Sequence, residues 1–193
     1  MRLPDGAHSA HRWRIHELTR DFDLEDVWAL PTRGGPDDFP RLVEVMGSLD
    51  PSKHSKVVNA LFELRWKIGG VMGWDDPGTG LGSRVTTLRD RLPDDLRGGD
   101  PPPTPSEFPF TPLYITDDEW AGEIANETMH GVMHLSWVQD DDGGHRGQMA
   151  VLVKRNGAFG SAYMAAIAPF RHLIVYPLLM RAIEREWSAA AVA

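Results

Sequence analysis

From Met129 onward hydrophobic and polar positions alternate: Met129, Met133, Leu135 and Trp137 fall on one face, His130, His134 and Ser136 on the other. A period of two belongs to a strand with two unlike faces. Beyond the turn residues Asp140 to Gly144, Met149, Val151 and Val153 line one face of a return strand, so the two runs predict a hairpin. Asn156-Gly157 ends it. The period then changes. In a long apolar segment from Ala158 to Trp187, Tyr163, Ile167, Phe170, Ile174 and Leu178 recur every three or four residues, the stripe of a helix that needs a sheet to lie against. Pro169 and Pro177 each remove a backbone donor, so a kinked or broken helix is expected.

The front half is less regular. Trp13 and Ile15 oppose Arg12, Arg14 and His16 within His11 to Arg20, which predicts a first strand with one wet side. Asp23 reads as the cap of a short helix through Val27, Trp28 and Leu30, closed by Pro31. A second helix is predicted over 37–46, with Pro40 near its start. Asp50-Pro51 opens an amphipathic helix with Val57, Leu61, Leu64, Ile68 and Val71 on one stripe. Gly-, Pro-, Asp- and Ser-rich stretches near 75–84 and 97–109 read as mobile loops around a short segment at 85–92. A strand follows at 110–116. Trp120, Ile124 and Thr128 then oppose Glu119, Glu123 and Glu127 on another, with the carboxylates expected in solvent. The elements together predict an α+β fold in which an antiparallel sheet wraps around a long C-terminal helix, built as one domain over 1–193.

Composition narrows the function classes. With 193 residues, 41% hydrophobic and 25% charged, the chain suits one globular domain with a substantial core. A net charge of −8 without clustered Lys and Arg argues against nucleic acid as a partner. The absence of cysteine excludes disulfides and thiolate metal sites. Met1 to Arg12 lacks the apolar core of a signal peptide, and no run reaches the roughly 18 uninterrupted apolar residues of a membrane span. A cytoplasmic location without membrane insertion is therefore expected.

Phe22-Asp23-Leu24-Glu25-Asp26-Val27-Trp28-Ala29-Leu30 before a meandering sheet and a long terminal helix resembles the START-like, or birch-pollen-allergen-like, helix-grip superfamily. Many of its members carry an acidic-x-Val-Trp segment after a strand. Asn156-Gly157-Ala158-Phe159-Gly160-Ser161-Ala162-Tyr163 running into Pro169-Phe170-Arg171-His172-Leu173-Ile174 is similar to the C-terminal part of an uncharacterised bacterial domain of unknown function. Elsewhere that domain follows an NAD-binding, epimerase-like domain. The resemblance is specific over the last third of the chain. It implies a helix-grip fold and an apolar cavity between sheet and helix, and assigns no catalytic residue.

Candidate chemistry is sparse. His130 and His134 would share a metal on a helix, but on a strand they stand about 13 Å apart, beyond one ion's reach. Because Met129, Met133 and Leu135 are the better core residues, the histidines are expected on a polar outer face. The acidic series at 119, 123 and 127 diverges in the same way, and Asp140-Asp141-Asp142-Gly143-Gly144 lacks the spaced ligands of a calcium loop. Gly78-Thr79-Gly80-Leu81-Gly82 has neither the preceding strand nor the following helix of a phosphate cradle. No cofactor and no metal are expected. The residues placed against a ligand are Trp66, Met133, Tyr163, Ile167 and Phe170, with Tyr163 or Tyr176 as an orienting hydroxyl. The expected function is binding of a small hydrophobic molecule in a cavity between sheet and helix. Two alternatives share the architecture: a cyclase- or isomerase-like enzyme, and a non-catalytic interaction module.

Overall fold

A computed structural model describes residues 1–49, 81, 85–97, 110–126, 129–140 and 142–190, with the backbone alone at 158–160, 162 and 163. The amphipathic helix expected from Asp50, with Trp66 on it, lies outside the described residues, as do most of the two loop stretches and Glu127 and Thr128. Five strands form one antiparallel sheet in the order β1-β5-β4-β3-β2: β1 (Asp23–Gly34), β2 (Thr111–Ile115), β3 (Glu119–Ala125), β4 (Met129–Gln139) and β5 (His145–Arg155). Among the described residues the helical elements are α1 (Gly6–Ser9), α2 (Ile15–Leu18), α3 (Phe39–Ser48), α4 (Asp94–Arg97), α5 (Gly157–Phe170) and α6 (Tyr176–Ala190), plus a 3₁₀ turn at Leu88–Arg91.

The hairpin forms as its alternation predicts. Leu135 faces Met149, Met133 faces Val151 and His134 faces Ala150 across β4 and β5. The sheet then has two buried faces rather than one. Trp28, Leu30, Trp120, Leu135, Trp137 and Met149 pack with α3 and α6 into one core. Val27, Ala121, Val132, Ala150 and Leu152 pack with Trp13, Ile15, Leu18, Leu88 and Leu92 into a second core on the opposite side. Gly147 allows the helix side to close, since a Cβ there would stand 2.8 Å from both Leu42 Cδ2 and Thr32 Oγ1.

Two front-half expectations are overturned. Residues 15–18 are the helical turn α2 and not part of a strand: Ile15 and Leu18, three apart, are both fully buried beneath the sheet, a spacing that a helical turn satisfies and a strand does not. Residues 23–34 are β1 and not a capped helix. Both faces of β1 are covered, so its apolar positions do not alternate. Its register is set by pairing with β5, 120 or so residues away, including Val27 with Ala150 and Trp28 with Met149. The outer edge of β1 is itself partly covered by the N-terminus, where the Leu3 amide donates to the Val27 carbonyl and the Ala29 amide to the Met1 carbonyl.

The terminal helix is not broken at the prolines: Pro169 lies inside α5, and the backbone stays helical from there into α6. Between α5 and α6 lies a π turn, Arg171–Val175, in which the Tyr176 amide reaches back to the Arg171 carbonyl. Pro177 has no N–H and its ring crowds the carbonyl four residues earlier, so the chain widens just before it. The α6 half is seated on the sheet through Ala182, Ile183 and Trp187. Trp187 Nε1 donates to the Arg33 carbonyl at 3.0 Å, and the Arg41 guanidinium lies 3.9 Å over its ring. Towards α5 the helix is more open. Ile167 and Phe170 are half-buried and Leu173 is 76% exposed, and the stretch Met164–Ala190 is apolar enough by length and composition to cross a membrane.

Candidate functional site

Among the described residues, two polar groups of side chains are built into the two cores, one on each side of the sheet. The first occupies the face away from the terminal helix. Glu119 and Glu123 lie on the same face of β3, His130 and His134 on the facing positions of β4, and the antiparallel register brings each acid diagonally to one histidine. His134 Nε2 is 3.0 Å from Glu119 Oε2, and His130 Nε2 is 2.8 Å from Glu123 Oε2. The expectation that this face is wet is overturned: Glu123 and His134 are 0% exposed, Glu119 and His130 4%. The alternation holds, but the N-terminal segment and the 3₁₀ turn cover the polar side. The Thr87 hydroxyl and the Leu88 amide donate to Glu123, and the Arg14 amide and the Tyr114 hydroxyl to Glu119.

From Glu119 a line of imidazoles runs outward. His8 Nε2 is 3.1 Å from His134 Nδ1, and His16 Nε2 is 3.3 Å from His8 Nδ1. The acceptor at the inner end fixes every tautomer: His134 donates from Nε2 to Glu119, so its Nδ1 must accept from His8, whose Nδ1 must accept from His16. This arrangement requires neutral rings. Burial, followed by the neighbouring His134, His16 and His11, pushes His8 down to about 3. Burial also lowers His134 against the pull of Glu119, and lowers His16. For Glu119 burial pushes the carboxyl up, but the hydrogen bonds from His134, the Arg14 amide and Tyr114 more than reverse it. Glu123 follows the same pattern through His130, Thr87 and the Leu88 amide.

The second group lies under the terminal helix. Asp26 on β1 is fully buried and collects donors from the π turn and α6. Arg171 Nη2 is 2.9 Å and Tyr176 Oη 3.0 Å from its Oδ2, while His172 Nε2 is 2.7 Å from its Oδ1. Arg2 approaches from the N-terminus at 3.5 Å. Glu25 ties in Arg155 and Arg171. The Trp28 ring centre lies 4.7 Å from that of Tyr176 and 6.5 Å from that of His172. Burial, then the Asp26 charge, pushes the Tyr176 hydroxyl well above the usual phenol range, so it serves as a donor.

Among the described residues, two buried donors in this second group have no acceptor: Trp28 Nε1–H and Arg171 Nε–H. An unpaired buried N–H costs roughly 1–3 kcal/mol, so a group that supplies an acceptor gains that much in favour of binding. In neutral His172 the Nε2–H goes to Asp26, so Nδ1 carries the lone pair, and the side chain is 28% exposed.

Of the residues placed against a ligand from the sequence, Met133 packs against the helix-side core, and Ile167 and Phe170 are half-buried on α5. Tyr163 has a described backbone only, and Trp66 lies outside the described residues. Asp26, Trp28, Arg171 and His172 escaped the sequence reading as a group, because β1 and the π turn are about 146 residues apart. The available signal was an Arg-His pair in an otherwise apolar helix, since polar side chains there need a buried partner.

Compared with known proteins, residues 18–178 match the profile of one family, described as a protein of unknown function (DUF2867). No curated protein and no solved structure matches the chain.

Proposed function

The chain belongs to the DUF2867 family, and on that premise we propose that it is a cytoplasmic protein that binds a small, mostly apolar molecule carrying a hydrogen-bond acceptor. The molecule lies on the helix side of the sheet, beside Asp26. One observation carries the reading: among the described residues, Trp28 Nε1–H and Arg171 Nε–H are buried without an acceptor, and both side chains belong to the group around Asp26 and Tyr176, Arg171 through its bond to Asp26 and Trp28 through its ring contact with Tyr176. Pockets for small molecules combine apolar walls with a few convergent polar groups. Met133, Ile167 and Phe170 supply the walls, and Trp28 and Arg171 supply the orienting donors. The resemblance to START-like helix-grip proteins supports the same location.

Thermal unfolding tests the reading. A ligand that binds only the native state stabilises it by about 2.7 kcal/mol at one hundred times its dissociation constant. Across a panel of 2-tetralone, 1-naphthaldehyde, decanoic acid and the corresponding hydrocarbons, Tm should rise with the oxygenated members and less with tetralin, naphthalene and decane. In Trp28→Phe the difference between the two classes should shrink. Equal shifts for both classes, or none, would contradict it.

A further inference from the structure

Resting on that binding reading, we propose that His172, oriented by Asp26, is a catalytic base that removes a proton from the carbon next to the carbonyl of the bound molecule, while Trp28 and Arg171 receive the carbonyl oxygen. Four features of the site argue for it. Asp26 is fully buried, so no bulk solvent competes for the carboxylate oxygen that takes the His172 Nε2–H at 2.7 Å. Its other oxygen is occupied by Arg171 and Tyr176. A carboxylate held in this way fixes the imidazole tautomer and stabilises the imidazolium that forms on protonation. His172 is the member of the pair that reaches the surface, with its side chain 28% exposed against 0% for Asp26.

The π turn gives the third feature. Arg171 and His172 are neighbours in the chain, and on a regular helix neighbouring side chains diverge strongly. Here both reach one carboxylate from within the π turn, and Tyr176 closes the same group from the next turn. Single π turns inside helices recur at functional sites. The fourth is the orphan pair of N–H groups. Donors left without an acceptor in a buried site are costly at rest, and are repaid by an oxygen that gains charge during a reaction.

The step balances without a further reactant. The C–H bond breaks and its proton goes to His172 Nδ1, the electron pair moves into the carbon–carbon bond, and the carbonyl oxygen becomes an enolate oxygen held by Trp28 Nε1–H and Arg171 Nε–H. Return of a proton to the same carbon gives exchange with solvent; return to another carbon of a conjugated substrate gives isomerisation. The substrate class is thus an apolar ketone or thioester with an acidic α-hydrogen.

The test uses 2-tetralone in D2O with the full chain, following loss of the C1 proton signal by proton NMR. Binding is read separately from the Trp28 indole resonance, identified by its absence in Trp28→Phe. Wild type should accelerate exchange over buffer by roughly 100-fold or more, the range of positioned general bases. His172→Gln keeps an N–H for Asp26 but has no basic nitrogen. It should still show the tetralone-induced indole shift and lose the acceleration. Trp28→Phe should lower the rate roughly 10- to 100-fold. An indole shift in wild type with exchange no faster than buffer, or equally fast in His172→Gln, would overturn the catalytic role and leave the binding reading standing. No indole shift would count against the binding reading and take the catalytic role with it.

Discussion

Lowering the pH should loosen the N-terminal segment, because the line of imidazoles from His16 through His8 to His134 holds together only as neutral rings. In the unfolded chain His8 takes up a proton near the ordinary histidine value of about 6.5, whereas in the fold it does so only near about 3. Between those values the unfolded state binds more protons. The stabilisation is therefore complete above the unfolded value and is lost as the pH falls through the window towards the folded one. At about 1.36 kcal/mol per pH unit, His8 alone costs about 2 kcal/mol on going from pH 8 to pH 5. His134 and His16 are lowered in the same direction. Glu119 is held below its usual value, so its contribution is lost only below roughly pH 4.5, outside this interval. The assay is urea unfolding followed by tryptophan fluorescence at pH 8 and pH 5. In His8→Gln, which retains an N–H for His134, the loss between the two pH values should be smaller than in wild type by about 2 kcal/mol. An equal loss in both proteins would refute the neutral relay.

Two stability predictions follow from the other core. Asp26→Asn removes the charge that Arg171 and His172 share and should cost about 3 kcal/mol in urea unfolding, whereas Asp23→Asn, an exposed partner of Arg155, should change stability by less than about 1 kcal/mol; comparable costs would mean that the Asp26 cluster is not buried as described. Gly147→Ala forces a methyl group to within 2.8 Å of Leu42 and Thr32 and should cost about 1–3 kcal/mol by the same assay, with a neutral result contradicting the close approach of α3 to β5.

The legible parts of the fold were those whose pattern is local. The β4–β5 hairpin, β2, β3, α3 and the terminal helix follow from alternation and from a stripe at three or four residues; the break expected at Pro169 and Pro177 is instead a π turn before Pro177 in a continuous helix. The β1 strand did not, because a strand buried on both faces loses its alternation, and Asp23 before Val27-Trp28 is equally the signature of a helix cap. Glu119, Glu123, His130 and His134 were assigned the correct shared face and the wrong environment. The period of two says which side chains travel together and says nothing of what covers them. Their matching spacing of four on adjacent strands was the overlooked signal: once the hairpin register is drawn, each acid meets a histidine, and such pairs are at home in a buried layer. The Asp26 group was less accessible still, since it depends on where the π turn sets down on β1.

The most direct measurement is of intermolecular nuclear Overhauser effects between bound 2-tetralone and selectively labelled protein. Cross-peaks are expected from the ligand to the Trp28 indole N–H and to the methyl groups of Met133 and Ile167, with none to Ile15 or Leu18 on the other side of the sheet. Cross-peaks confined to Ile15, Leu18 and their neighbours, or the absence of any to Trp28, would contradict a site on the helix side.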